Sequence, residues 1–109
     1  MTEDVFAALA DPTRRRVLDL LATHGEGTAT TLAAELPVSR PAVIKHLAVL
    51  DRAGLVESRR HGREVRFAVR PERLQATASW LSRLAVDWDA RLRAIKRLAE
   101  ENDAHPHDN

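Results

Sequence analysis

Cysteine is absent from this chain of 109 residues, which excludes disulfides, thiolate metal clusters, a nucleophilic thiol and any thiol-based metalloid sensor. Such a chain suits a reducing cytosol. Glycine is sparse too: four residues supply no glycine-rich phosphate loop, and no nucleophile stands beside a base in a recognisable catalytic motif. An enzyme is not expected, and no cofactor is called for. No apolar run approaches the roughly 18 residues of a membrane span, and Met1-Thr2-Glu3-Asp4 is acidic where a signal peptide is basic. The expected location is therefore cytoplasmic, with no membrane partner. What is present, 44% hydrophobic residues, suffices for one domain, placed at 1–100, followed by a polar tail at 101–109 expected to be disordered.

Neither sign of charge prevails overall, with 17 Lys and Arg against 16 Asp and Glu, but the charges are segregated along the chain. Residues 39–70 carry eight basic against three acidic side chains, whereas residues 1–38 carry three Arg against six acids. Local charge of this kind is what phosphate contacts need. A solvated basic face would show the same count.

The periodicity gives a sequence of elements. Val5, Phe6 and Leu9 make a short amphipathic helix that needs a neighbour. Asp11-Pro12 caps and opens a second helix over 12–24, with Val17, Leu18 and Leu21 inward and Gly25 closing it. Residues 25–28 read as a loop. Thr28 caps a third helix ending at Leu36-Pro37, and Ser39 caps a fourth over 40–53, with Val38 placed to staple onto Val43 and Gly54 in a left-handed closing position. Two helices so closely spaced, within 29–53, have the spacing of a helix-turn-helix. From Leu55 the period changes to two: Val65, Phe67 and Val69 alternate with Glu64, Arg66 and Arg70, predicting a hairpin over 55–70 that turns at Gly62. A solvated basic hairpin merely covering the core is the alternative. Over 71–100, Leu74, Ala78, Leu81, Ala85, Trp88, Leu92, Ile95 and Ala99 recur at alternating spacings of four and three. Trp80, Leu84 and Leu98 widen this seam, which is more than one small domain covers and points to a second copy.

Three stretches, Leu9-Ala-Asp-Pro-Thr-Arg-Arg-Arg-Val-Leu18, Val38-Ser-Arg-Pro-Ala-Val-Ile-Lys-His-Leu47 and Leu50-Asp-Arg-Ala-Gly-Leu-Val56, resemble the ArsR/SmtB family of bacterial winged helix-turn-helix repressors. The resemblance implies a mainly α fold with a small β-hairpin, in the order α-α-α-α-β-β-α. It also implies a homodimer formed through the first and last helices, each recognition helix entering a major groove of double-stranded DNA on the nucleoid. The interface residues would be Val5, Phe6, Leu9, Leu81, Leu84, Trp88, Leu92 and Ile95.

Helical geometry supports the recognition helix independently. At about 100° per residue, Val43, Leu47 and Leu50 share one face, which leaves Pro41, Lys45, Ala48 and Arg52 opposite. Arg40 is suited to fork onto a guanine, and Lys45 to reach a base or a phosphate. Ser39 and the helix N-terminus are placed to hold a phosphate, while Pro41 and Ile44 offer an apolar surface to thymine methyls, and Ala42 is counted with them among the DNA-binding residues. His46 flanks this face, either contacting DNA or packing half-buried. Arg59, Arg60, His61 and Arg63 would form the wing and track the backbone. Arg14, Arg15 and Arg16 point in three directions, so they are left outside the site.

Metal sensors of the family carry paired Cys, or Asp and His on the last helix. Here Thr28-Ala-Thr-Thr-Leu32 holds no thiol, helix 71–100 holds no His, and Asp87 and Asp89 lie on different helix faces. No metal is expected, although His105 and His107 leave a tail pair open. The leading expectation is a sequence-specific repressor acting on an inverted repeat. Alternatives are the same scaffold as a metal- or small-molecule-responsive sensor with an unknown effector, and a winged-helix protein interaction module; Trp80 and Trp88 would line a pocket between the long helices or serve as plain core or interface.

Overall fold

Asp11 shows how local chemistry builds this chain. In a computed structural model, which describes residues 2–104, its carboxylate accepts the backbone N–H groups of Thr13 (2.7 Å) and Arg14 (3.2 Å). Those donors have no partner within the helix they begin. Helix α2 (Pro12–His24) starts there, after the short α1 (Thr2–Leu9). Next come α3 (Ala29–Glu35) and α4 (Arg40–Arg52), then strands β1 (Val56–His61) and β2 (Glu64–Val69), and finally α5 (Pro71–Ala104). This is the expected order, five helices and one hairpin. The last helix runs to Ala104, four residues beyond the expected end at 100, into the stretch expected to be disordered. His105 and His107 lie outside the described residues.

Each boundary has a chemical cause. At the start of α3, Thr28 and Thr31 exchange bonds: the N–H of Thr31 donates to Oγ1 of Thr28 at 3.1 Å, and that of Thr28 to Oγ1 of Thr31 at 2.9 Å. Ser39 Oγ accepts the N–H of Ala42 at 3.3 Å to open α4. At the other end of α4, Gly54 takes φ 75°, which turns the chain so that the N–H of Gly54 reaches the carbonyl of Asp51 and that of Leu55 the carbonyl of Leu50, both at 2.9 Å. This is a Schellman closure, and a side chain there would oppose the left-handed turn.

The hairpin is antiparallel, pairing Val56 with Val69, Ser58 with Phe67, Arg59 with Arg66 and His61 with Glu64. Gly62 at φ 60° and Arg63 outside the positive-φ region make its two-residue loop a type II′ turn, whose twist suits the strands. One departure from expectation lies at 25–28. That loop joins the sheet, because Gly27 and Phe67 exchange backbone bonds of 3.0 and 2.8 Å, and Arg66 ties Glu26 (3.4 Å) to Glu64 (3.2 Å).

The chain falls into two compact units, Met1–Thr77 and Ala78–Asn109, where the sequence predicts one domain over 1–100. In the first unit Val17, Leu21, Leu32, Val43, Leu47, Leu50, Leu55 and Val56 form a closed core. Burying each such side chain contributes about 1.5–3 kcal/mol relative to exposure. Leu74, expected to begin the helical seam, packs against this core instead. The described part of the second unit is the remainder of α5, whose Leu81, Trp88, Leu92 and Ile95 are 43–59% exposed. Among the described residues no helix is long and apolar enough to cross a membrane.

Candidate nucleic-acid interface

Helix α4 is amphipathic in an unequal way. Its inner residues Val43, Leu47 and Leu50 are essentially without solvent exposure, which fixes the rotation of the helix against the core. The opposite face, Pro41, Lys45, Ala48 and Arg52, is exposed as the wheel predicts. Ser39 and Arg40 at its N-terminal end are exposed, Ala42 is half-buried, and Ile44 is 46% exposed. An apolar side chain, a forked cation and an ammonium thus share one end of a helix whose first N–H groups carry partial positive charge. Such an end can hold a phosphate and present hydrogen-bond donors to base edges.

Arg40 is partly engaged already. Its Nε–H donates to Oγ1 of Thr30 on α3 at 3.1 Å, a partner that no pattern in the sequence singles out. His46 is half-buried, with Nδ1 3.4 Å from Nη1 of Arg14.

Arg14 and Arg15 turn back toward the end of α1. Arg14 donates through Nε to the carbonyl of Ala8 at 2.7 Å and through Nη2 to that of Ala7 at 3.2 Å, while Arg15 reaches the carbonyl of Leu9 at 2.6 Å. These carbonyls belong to the last turn of α1, where i+4 donors run out; that of Ala7 also accepts the N–H of Ala10 at 3.4 Å. The signal was present in the sequence: a short helix closing just ahead of Asp11-Pro12, with successive arginines following within reach of its last turn. The Asp11 carboxyl beside them is held below its usual range, mainly by the backbone N–H of Arg14 and against some desolvation, with Thr13 and the charges of His46 and Arg14 assisting.

The hairpin cations do not form one patch. Arg59, Arg60, His61 and Arg63 are all exposed, but successive strand residues face opposite ways, which places Arg59 and His61 on one face and Arg60 on the other, with Arg63 in the turn. Arg59 stands across from Arg66 in the register, an unfavourable pairing of like charges. Glu57 lies 3.6 Å from Arg59, and Glu26 and Glu64 flank Arg66.

Among the residues expected at a dimer interface, Val5 is corrected. It is 1% exposed inside the core of its own unit, so it has no surface to offer a partner. Leu9 is half-buried against the same core, and Leu84 is half-buried. Phe6, Leu81, Trp88, Leu92 and Ile95 are exposed, and the Arg91 guanidinium lies 5.3 Å from the ring centre of Trp88. Among the described residues, no group of three or more His, Asp and Glu side chains is placed to hold a metal ion.

A helix-turn-helix domain model matches residues 9–59. The chain is 35% identical over 78 residues to the transcriptional repressor SdpR of Bacillus subtilis, covering 72% of this chain and 86% of that protein. It is 41% identical over 95 residues to the HTH-type transcriptional regulator Rv2034 of Mycobacterium tuberculosis, covering 87% and 85%. Among solved structures, it is similar to an ArsR-like transcriptional regulator from Rhodococcus sp. RHA1, with a TM-score of 0.81 at 46% identity over 90% of this chain and 92% of that one.

Proposed function

The chain belongs to the ArsR-type winged helix-turn-helix transcriptional regulators, which are not enzymes, and from that premise we propose that it is a homodimeric repressor reading an inverted-repeat operator. The observation that carries the proposal is the N-terminal half of α4, where Arg40, Pro41, Ile44 and Lys45 remain in solvent while the inner stripe is fully buried. In this reading Arg40 forks onto a guanine, Lys45 meets a base or a phosphate, and Pro41 and Ile44 pack on thymine methyls. Ser39 and Ala42, with the helix N-terminus, hold a phosphate. Arg59, Arg60, His61 and Arg63 supply backbone attraction that is independent of sequence. His46 acts through its packing on Arg14.

The apolar face of α5, where Leu81, Trp88, Leu92 and Ile95 are exposed and Leu84 half-buried, supports a second copy as its cover; Phe6 and Leu9 of α1 are proposed as further interface residues. A dimer places two recognition helices about one helical turn of DNA apart, so the operator repeats in inverted order. Binding there would block transcription, the activity named for the similar SdpR. The protein would then work in the cytoplasm, on the nucleoid.

The test is a fluorescence-anisotropy titration of the purified protein, at two salt concentrations, against the DNA upstream of its own gene and against scrambled DNA of equal length. Tighter binding to the upstream DNA at both salts, at two chains per site, is expected. Equal affinity for both duplexes at both salts would contradict the proposal.

A further inference from the structure

We propose that Thr30, on the first turn of α3, is a positioning residue for base reading: it holds the guanidinium of Arg40 so that only its two terminal nitrogens are left to grip a base. The inference rests on the DNA-binding reading of α4.

Arginine presents five N–H groups in a rigid planar fork. It can meet the O6 and N7 acceptors of guanine side-on, with Nε and one Nη, or end-on, with Nη1 and Nη2. The Nε–H of Arg40 is committed to Oγ1 of Thr30 at 3.1 Å, which removes the side-on mode. The end-on pair remains, and no other hydrogen bond or ion pair engages the Arg40 side chain among the described residues. A flexible side chain on an exposed helix end is thereby given one orientation before DNA arrives, which lowers the ordering cost of binding.

Both anchors of this bond are themselves held. Thr30 lies between Thr28 and Thr31, whose reciprocal bonds of 3.1 and 2.9 Å close the first turn of α3. Arg40 follows Ser39, whose hydroxyl caps α4 on the N–H of Ala42. The contact therefore joins two capped helix starts, one on each helix of the helix-turn-helix. Because Thr30 is exposed, its replacement removes no core packing.

The test uses the full-length protein and a duplex enriched by that protein from a random-sequence DNA pool. Affinities are measured by anisotropy for this duplex, for versions altered at each base pair, and for unrelated DNA, with circular dichroism confirming that every variant is folded. Thr30→Val, which keeps the shape and removes the acceptor, is expected to weaken binding to the enriched duplex on the order of fivefold. It should relax selectivity at the one base pair that Arg40→Ala also relaxes, and leave unrelated DNA unaffected. Thr30→Ser, which keeps the hydroxyl, is expected to stay within about twofold of the parent. In an Arg40→Ala background, Thr30→Val is expected to add nothing further.

An equal loss on every DNA, persisting without Arg40, would make Thr30 a phosphate contact and overturn the assignment while leaving the DNA reading intact. Unchanged binding by Thr30→Val would overturn it as well. If the parent protein enriches no sequence, the DNA reading fails and the assignment falls with it.

Discussion

Nη1 of Arg14 stands 3.4 Å from Nδ1 of His46, 32 residues further along the chain. His46 accepts this bond when its ring proton sits on Nε2. The same guanidinium donates to the carbonyls of Ala7 and Ala8. One side chain thus joins the C-terminal end of α1 to α4, and together with the burial of Val5 and Ala8 in the core it holds a helix of 8 residues that is too short to persist alone. Arg14→Ala is expected to lower unfolding stability by about 1–3 kcal/mol, measured by urea denaturation. Arg14→Lys should recover only part of the loss, since an ammonium lacks the fork that reaches several acceptors at once. An unchanged midpoint in Arg14→Ala would contradict this role.

Asp11 makes acid sensitivity local. Its carboxyl is held below the usual range by the N–H groups that it caps, that of Arg14 foremost. A depressed pKa in the folded state means that the cap stabilises at pH values above the unfolded pKa of about 3.9, and that the contribution fades as pH falls through the lower folded value. The thermal midpoint of Asp11→Ala should therefore lie below that of the parent at pH 7, and the gap should narrow under about pH 4. A gap that is constant across this range would contradict the assignment.

Much of this molecule was legible in the sequence because its signals are local. Asp11-Pro12, Thr28, Ser39 and Gly54 mark helix boundaries through bonds to their own neighbours, and the stripe of Val43, Leu47 and Leu50 sets the rotation of α4 without reference to the rest of the chain. What remained hidden depends on contacts distant in sequence. Thr30 meets Arg40 only once α3 and α4 have packed, Gly27 forms its β-bridge only beside Phe67, and Val5, on an amphipathic helix that could face a partner, is absorbed by the core of its own unit. Periodicity shows that a face is apolar; it does not say what covers it.

Arg63, in the turn of the hairpin, is exposed and forms no hydrogen bond or ion pair among the described residues. If it neutralises one phosphate in each protomer, Arg63→Ala should reduce the slope of log affinity against log salt by about 0.9 per contact, equally on operator and unrelated DNA. Affinities measured between about 50 and 200 mM salt decide the matter. An unchanged slope would remove the turn from the interface.

Trp88 is 50% exposed on the apolar face of α5. A carboxylate there cannot be buried against a second copy without a large desolvation cost, so Trp88→Glu is expected to shift the protein from dimer to monomer in light scattering. Circular dichroism should show the helical content retained, because Trp88 belongs to none of the closed core of the first unit. A dimer that persists would place the interface elsewhere.

The central claim, that two copies of α4 read base sequence, is tested most directly by letting the full-length protein choose its own DNA from a random pool and sequencing what it retains. The account predicts an inverted repeat whose half-sites are centred about 10–10.5 base pairs apart, or a multiple of that spacing, with a guanine in each half-site whose selection disappears in Arg40→Ala. Retention of DNA without any shared sequence, or of a single unrepeated site bound by one chain, would contradict it.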